Sequence, residues 1–252
     1  MLSKVDKVFF NSVIIVITIS IMGIMLHEGA HFLVAKRLGV EAMYHSDHVS
    51  LSKNINDFNK MIIAISGPLC SLIFGIITVA ISYQVKKASI VRLFLLWFGL
   101  YNFASFLGYT LIASFVKIGD TGIIMQYFNV PTALRYLISI FSYLVLRYVL
   151  PIFAIQFINY GRSNKREDMS KDLFIYPLVI STTVILIISQ PFDTWVSILP
   201  VVFVPFSFIG IIKKYRKVIH IEKPARDLIV DQYYAILVFL CIGAVITYVA
   251  LK

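Results

Sequence analysis

Two imidazoles and a carboxylate lie close together in the stretch Leu26-His27-Glu28-Gly29-Ala30-His31-Phe32, inside a run that is otherwise apolar from Val8 to Ala35. On a helix, His at i and i+4 project from the same face, about 40° apart at roughly 3.6 residues per turn. That spacing lets both rings grip one tetrahedral zinc. It also sets the Glu28 carboxylate beside the first of them, where it can handle a water on the metal. The pattern is H-E-x-x-H, and its surroundings add weight. Burying Glu28 and two imidazoles in hydrocarbon is expensive, which makes such residues functional candidates. The plainer alternative is polar groups hydrogen-bonding between membrane helices. Helix packing does not demand this spacing, so a metal site is the better reading.

Zinc held by two His needs a third protein ligand while one position stays open for water. Of the 13 acidic residues, only Glu28 and Asp120 sit in long apolar surroundings. Asp120, in Lys117-Ile118-Gly119-Asp120-Thr121-Gly122, is therefore the candidate third ligand. The alternative is an Asp capping a helix in a Gly-flanked turn. His45 and His48 lie in the polar connection from Lys36 to Lys60, with Asp47 and Asp57. They are candidates for extra ligands or proton carriers, although loop histidines are more often simply solvated.

The elements that must hold these residues are membrane helices. Of 252 residues, 59% are hydrophobic and only 14% charged, too little polar surface for a chain that covers itself in water. The charges cluster between long apolar runs, as in a polytopic helical membrane protein, and the runs lack the alternation of an outer-membrane barrel. Apolar segments at about 8–35, 61–84, 88–116, 132–159, 173–190, 195–212 and 229–251 are each long enough to span a bilayer near 30 Å thick. The expectation is an all-α polytopic membrane protein with seven to eight spans. It forms one membrane domain, with a site-bearing core over residues 1–128 and accessory helices over 129–252. Gly67 and Pro68 inside an apolar run predict a kink or a broken helix lining a site. Trp195 and Tyr233-Tyr234 are expected as interfacial anchors.

The net charge of +10 collects in short loops, such as Lys213-Lys214-Tyr215-Arg216-Lys217 and Arg162 to Arg166. Loops of that kind set membrane orientation and meet anionic headgroups, so no nucleic-acid partner is expected. Cys70 and Cys241 fall in apolar segments without C-x-x-C spacing and read as core residues. Lys4 and Lys7 before an apolar run resemble a signal peptide. No small-residue cleavage site follows, however, and the run continues into the motif, so a retained transmembrane helix is expected.

With these residues in place, the chain resembles the site-2 protease family of intramembrane zinc metalloproteases, the M50 group. His27-Glu28-Gly29-Ala30-His31 followed by Ala35-Lys36-Arg37-Leu38-Gly39-Val40 is similar to that family's first core helix and exit. Ile65-Ser66-Gly67-Pro68-Leu69 matches the Gly-Pro motif opening its second core helix. Asn102 and Asp120 fall where the family carries an Asn and then an Asp-Gly metal ligand on the third. The resemblance covers about residues 8–125. Two features depart from it: Phe103, not Pro, follows Asn102, and the acid sits further along, in Gly-Asp-Thr-Gly. No insertion is long enough for the PDZ domain of some members.

The resemblance implies a three-helix metalloprotease core and a zinc metalloendopeptidase. Its ligands would be His27, His31 and Asp120, its catalytic base Glu28 and its substrate-positioning residue Asn102. The implied substrate is a transmembrane or membrane-associated protein or peptide with an extended backbone, added as a strand in the 40–60 region. A related prenyl-protein protease type would need a second carboxylate on a later helix, but Glu167 and Glu222 lie in basic loops. The reading from another class is a non-hydrolytic metal-binding membrane protein, a transporter or a catalytically dead receptor. A Lys-, Ile- and Asn-rich multi-pass chain is expected in a bacterial plasma membrane. Counting Lys and Arg favours a cytoplasmic N-terminus, with Lys86-Lys87, 161–172 and 213–226 inside. The resemblance implies the opposite orientation for the first helix, and both hold only if residues 88–130 contain an additional crossing or a re-entrant piece.

Overall fold

The chain is seen in a computed structural model that describes residues 4–116, 119–160, 169–190, 198–221 and 234–251. Helix α1 (Lys4–Arg37) is 34 residues long and carries the expected apolar run unbroken through His31. It stops at a Schellman turn: the Gly39 N–H donates to the Lys36 carbonyl at 3.1 Å and that of Val40 to Ala35 at 2.9 Å. Lys36 and Arg37 sit in the last turn, where positive charge suits the helix C-terminus.

A small antiparallel hairpin follows, β1 (Ala42–Tyr44) and β2 (Val49–Leu51), with Met43 opposite Ser50. The Tyr44 hydroxyl donates to the Met25 carbonyl at 3.0 Å, which lays the hairpin along α1. Its tip, Ser46, donates through its backbone N–H to the Leu251 carbonyl at 3.1 Å.

Helix α2 (Asp57–Gln84) starts at Asn56, whose side chain accepts from the Asn59 N–H at 2.7 Å. It runs through Pro68 as one helix, so of the expected kink or break the break is absent. Membrane helices tolerate Pro because neighbouring groups satisfy the freed carbonyl. Helix α3 (Ile90–Ile112) starts at Ser89, which accepts from the Arg92 N–H at 3.3 Å. Where α2 and α3 cross, a Cβ on Gly75 would stand 2.9 Å from the Phe103 backbone nitrogen. Small residues at such crossings let backbones touch, the usual way membrane helices pack.

Helix α4 (Asp120–Tyr127) has eight residues, about 12 Å, too short to cross a bilayer. Among the described residues of 88–130, α3 is the one helix long and apolar enough to cross. Helix α5 (Thr132–Tyr160) changes pitch midway, with a wide π turn at Val145–Val149 and a tight turn at Leu150–Phe153. Helix α6 (Lys171–Ile188) is followed by α7 (Ile198–Ser207), α8 (Ile209–Val218) and α9 (Tyr234–Ala250).

Five helices, α1, α2, α3, α5 and α6, are long and apolar enough to cross a membrane, consistent with a multi-pass protein. The segment expected as one span over 195–212 holds the ten-residue helix α7 and only the start of the ten-residue helix α8. Pro205 inside α7 lacks the N–H that would continue the ladder. Trp195, Tyr233, Glu167, Glu222 and the Arg162–Arg166 run lie outside the described residues.

The main core is built on α3. Trp97 is fully buried, its ring centroid 5.6 Å from those of Phe157 and Phe174 and 5.0 Å from that of Phe208. This aromatic cluster ties α5, α6 and the α7–α8 junction to α3 and leaves the C-terminal part of α1 free to carry polar groups.

Candidate metal centre

His27 and His31 are buried at 4% and 5% exposure, one turn apart on α1, with ring centroids 4.8 Å apart. The opposite wall is one face of α2. Ile63, Ser66, Gly67 and Ser71 follow helical spacing and meet the two rings. His31 Nδ1 lies 2.7 Å from the Ile63 carbonyl oxygen, with Ser66 Oγ at 3.3 Å. His27 Nδ1 lies 3.2 Å from Ser71 Oγ. Tyr109 of α3 stacks on the His27 ring at 4.7 Å and an interplanar angle of 12°. Both rings are therefore gripped by their far nitrogens and held with Nε2 pointing the same way.

The carboxylate comes from the start of α4. Gly119 has φ +95°, in the region that favours glycine, and this turn delivers Asp120 as the first residue of the helix. The N-cap position is taken by Gly119 and Asp120 stands in the first turn. The Thr121 hydroxyl donates to the Tyr109 carbonyl at 2.9 Å and fastens α4 to α3. Asp120 Oδ2 then stands 2.9 Å from His27 Nε2 and 3.3 Å from His31 Nε2. The three ligand atoms lie within 4.8 Å of one another, and this is the one such group among the described residues. Ligands about 2.0–2.1 Å from a tetrahedral zinc stand roughly 3.3 Å apart, so the donor set fits that ion.

Two further observations bear on the fit. A Cβ built on Gly67 would run into Nε2 of both rings, so only a residue without a side chain leaves the space between them open. The second concerns His31. A carbonyl can only accept, so the bond to Ile63 places the ring hydrogen on Nδ1. Nε2 of the same ring then faces the Asp120 carboxylate at 3.3 Å, a contact satisfied by a proton on Nε2 or by a cation held between the two.

Glu28 is half-buried and lines a cavity of about 30 Å³ together with His27, Tyr101, Ser105 and Tyr109, room for a water molecule or two. Asn102 is buried, donates to the Phe98 carbonyl at 2.8 Å and packs near Gly23. His45 and His48 stack on each other at the hairpin tip, with Asp47 and Ser50 on the ring nitrogens of His48.

The sequence reading missed the support around the rings: Ser71, the Ile63 carbonyl and Tyr109. The first two could have been found by projecting α2 onto a helical wheel from Gly67. No local signal marks Tyr109. No family model, curated protein or solved structure matches the chain, and the site rests on its own geometry.

Proposed function

We propose that this chain is an intramembrane zinc metalloendopeptidase, hydrolysing peptide bonds of membrane-embedded or membrane-adjacent proteins in the manner of the site-2 proteases it resembles. The observation that carries the reading is the meeting of His31 Nε2 with Asp120 Oδ2 beside His27 Nε2, with Glu28 next along α1 from His27. That cluster is built for a cation, and Glu28 is the group a hydrolase adds to it.

His27, His31 and Asp120 would hold the zinc, leaving a fourth position open. Zinc there would polarise a scissile carbonyl and bring the pKa of a bound water to about 7. Glu28 takes a proton from the attacking water and passes it to the amine as the C–N bond breaks. Tyr109, Ser71 and the Ile63 carbonyl keep the imidazoles in the tautomer and orientation the metal needs. A substrate helix hides its carbonyls in its own hydrogen bonds and must unwind before it can react. The hairpin of β1 and β2, tied to α1 through Tyr44, offers an edge on which an unwound segment can pair.

Zinc content of the detergent-purified protein tests the site. The expected result is about one zinc per chain, lost in His31→Ala and Asp120→Ala and kept in Glu28→Gln. Cleavage of a reconstituted single-span protein with Gly-Pro in its helix tests the chemistry. The wild type cuts, and Glu28→Gln slows the reaction by about 10²–10⁴. A wild type without zinc removes the metalloprotease reading. Zinc retained with no cleavage of unwinding-prone substrates leaves the non-hydrolytic metal-binding reading instead.

A further inference from the structure

A second polar feature lies away from the metal centre, between α3, α5 and the α7–α8 junction. A pocket of about 360 Å³ is walled by apolar side chains, among them Leu111, Leu146 and Phe203, and carries two cations, Arg147 of α5 and Lys213 of α8. Arg147 stands near the middle of the 29-residue span Thr132–Tyr160 and is exposed on its surface. Its recorded contact is the ring of its neighbour Tyr148, 5.4 Å from the guanidinium. No carboxylate among the described residues pairs with Arg147 or Lys213. An arginine on a helix of this kind is costly without a counter-charge, and the described residues supply none.

The backbone is shaped around these two residues. Pro151 has no N–H for the carbonyl four residues back, which is that of Arg147, and the helix widens into the π turn Val145–Val149 at that point. Wide turns of this kind recur at functional sites. On the facing wall, α7 ends after Pro205 and α8 begins. Gly210 lets α8 close on the bend, since a Cβ there would stand 2.8 Å from Pro151 Cγ. Two proline-marked irregularities thus frame an apolar cleft and aim one cation into it from each side.

We propose that this cleft binds an anionic phospholipid of the surrounding bilayer, its phosphate between Arg147 and Lys213 and an acyl chain along Phe203, Phe206 and Ile209. Charge complementarity selects this occupant: two cations with no carboxylate beside them among the described residues call for an anion, and the apolar lining calls for one with a hydrocarbon tail. Paired basic residues between membrane helices are a recurrent headgroup site.

The test is native mass spectrometry of the whole protein in a zwitterionic detergent, titrated with phosphatidylglycerol or phosphatidylcholine of matched chains. The wild type is expected to retain phosphatidylglycerol selectively, and inorganic phosphate does not displace it. Arg147→Gln with Lys213→Gln weakens retention about thirtyfold, while Lys86→Gln with Lys87→Gln leaves it unchanged. Arg147→Lys keeps most of the binding, because the charge and not the guanidinium shape is what the phosphate meets. Equal retention of the two lipids by the wild type overturns the proposal and leaves the cleft to another occupant. So does undiminished phosphatidylglycerol binding in the Arg147/Lys213 variant while its melting temperature matches the wild type. Displacement by inorganic phosphate alone also overturns it, by making the site one for a free anion.

Discussion

Arg92 and the His27–His31–Asp120 cluster are both polar groups taken out of water, and they are treated in opposite ways. Arg92 is fully buried, and each recorded contact of its guanidinium is to an acceptor: the Ser82 carbonyl at 3.1 Å, the Gln156 carbonyl at 3.4 Å and the Gln156 side-chain oxygen. Donors meet acceptors, nothing further is called for, and the arginine locks α2 and α5 to the start of α3. At the candidate metal centre two imidazole nitrogens and a carboxylate oxygen, all atoms able to hold a cation, converge on one point, with a glycine keeping the intervening space clear. Burial alone does not mark a functional group. A convergence of ligand atoms on a space that a neighbouring residue keeps clear is the more telling sign.

The sharpest way to break this comparison is Gly67→Ala. Its Cβ competes for the space between the two Nε2 atoms, so zinc is expected to fall from about one per chain to about zero, read by metal analysis. Retention of full zinc would show that the cleared space serves only helix packing. Arg92→Ala is expected to act in the other direction. It strands the Ser82 and Gln156 acceptors and lowers stability by about 3 kcal/mol, measured by thermal unfolding in detergent, while zinc stays bound. Ser71→Ala removes one support of the His27 ring and should weaken zinc affinity by about 10–100-fold with little change in melting temperature. The smallest effect belongs to an ordinary interhelical contact. Thr110→Val removes the 2.8 Å bond to Ser142 and should cost about 0.6 kcal/mol with zinc affinity unchanged. If Thr110→Val and Ser71→Ala shift zinc affinity alike, the distinction between scaffold and site fails.

The parts legible in the sequence were those carried by local spacing or by exclusion. His27, Glu28 and His31 share one helix, so their common face follows from 3.6-residue periodicity alone. Asp120 stood out because almost every other carboxylate lies in polar sequence, and the structure places it against both rings. Gly67 and Pro68 were visible as an irregularity but not for what they do. The expected break concerns backbone within one helix, whereas the role of Gly67 depends on how closely α2 approaches α1. Tyr109 and the Ile63 carbonyl were hidden for the same reason. The segment 195–212 read as a single span because hydropathy sums over a window and does not register the change at Phe208 from one short helix to the next. Asn102, placed by resemblance, spends its amide donor on its own helix.

The candidate span within α1, Val8–Arg37, is 30 residues, about 45 Å, against a hydrocarbon layer of about 30 Å. That excess of about 15 Å cannot be absorbed by the tilt usual for membrane helices, about 20°. Part of α1 must emerge, or the surrounding lipid must thicken around it. His31 is six residues from Arg37, about 9 Å along the axis, so the way the excess divides between the two ends sets how deep the histidines lie. Bilayer thickness is thereby a variable of the site itself, acting on how far Glu28 and the two histidines lie from the membrane surface.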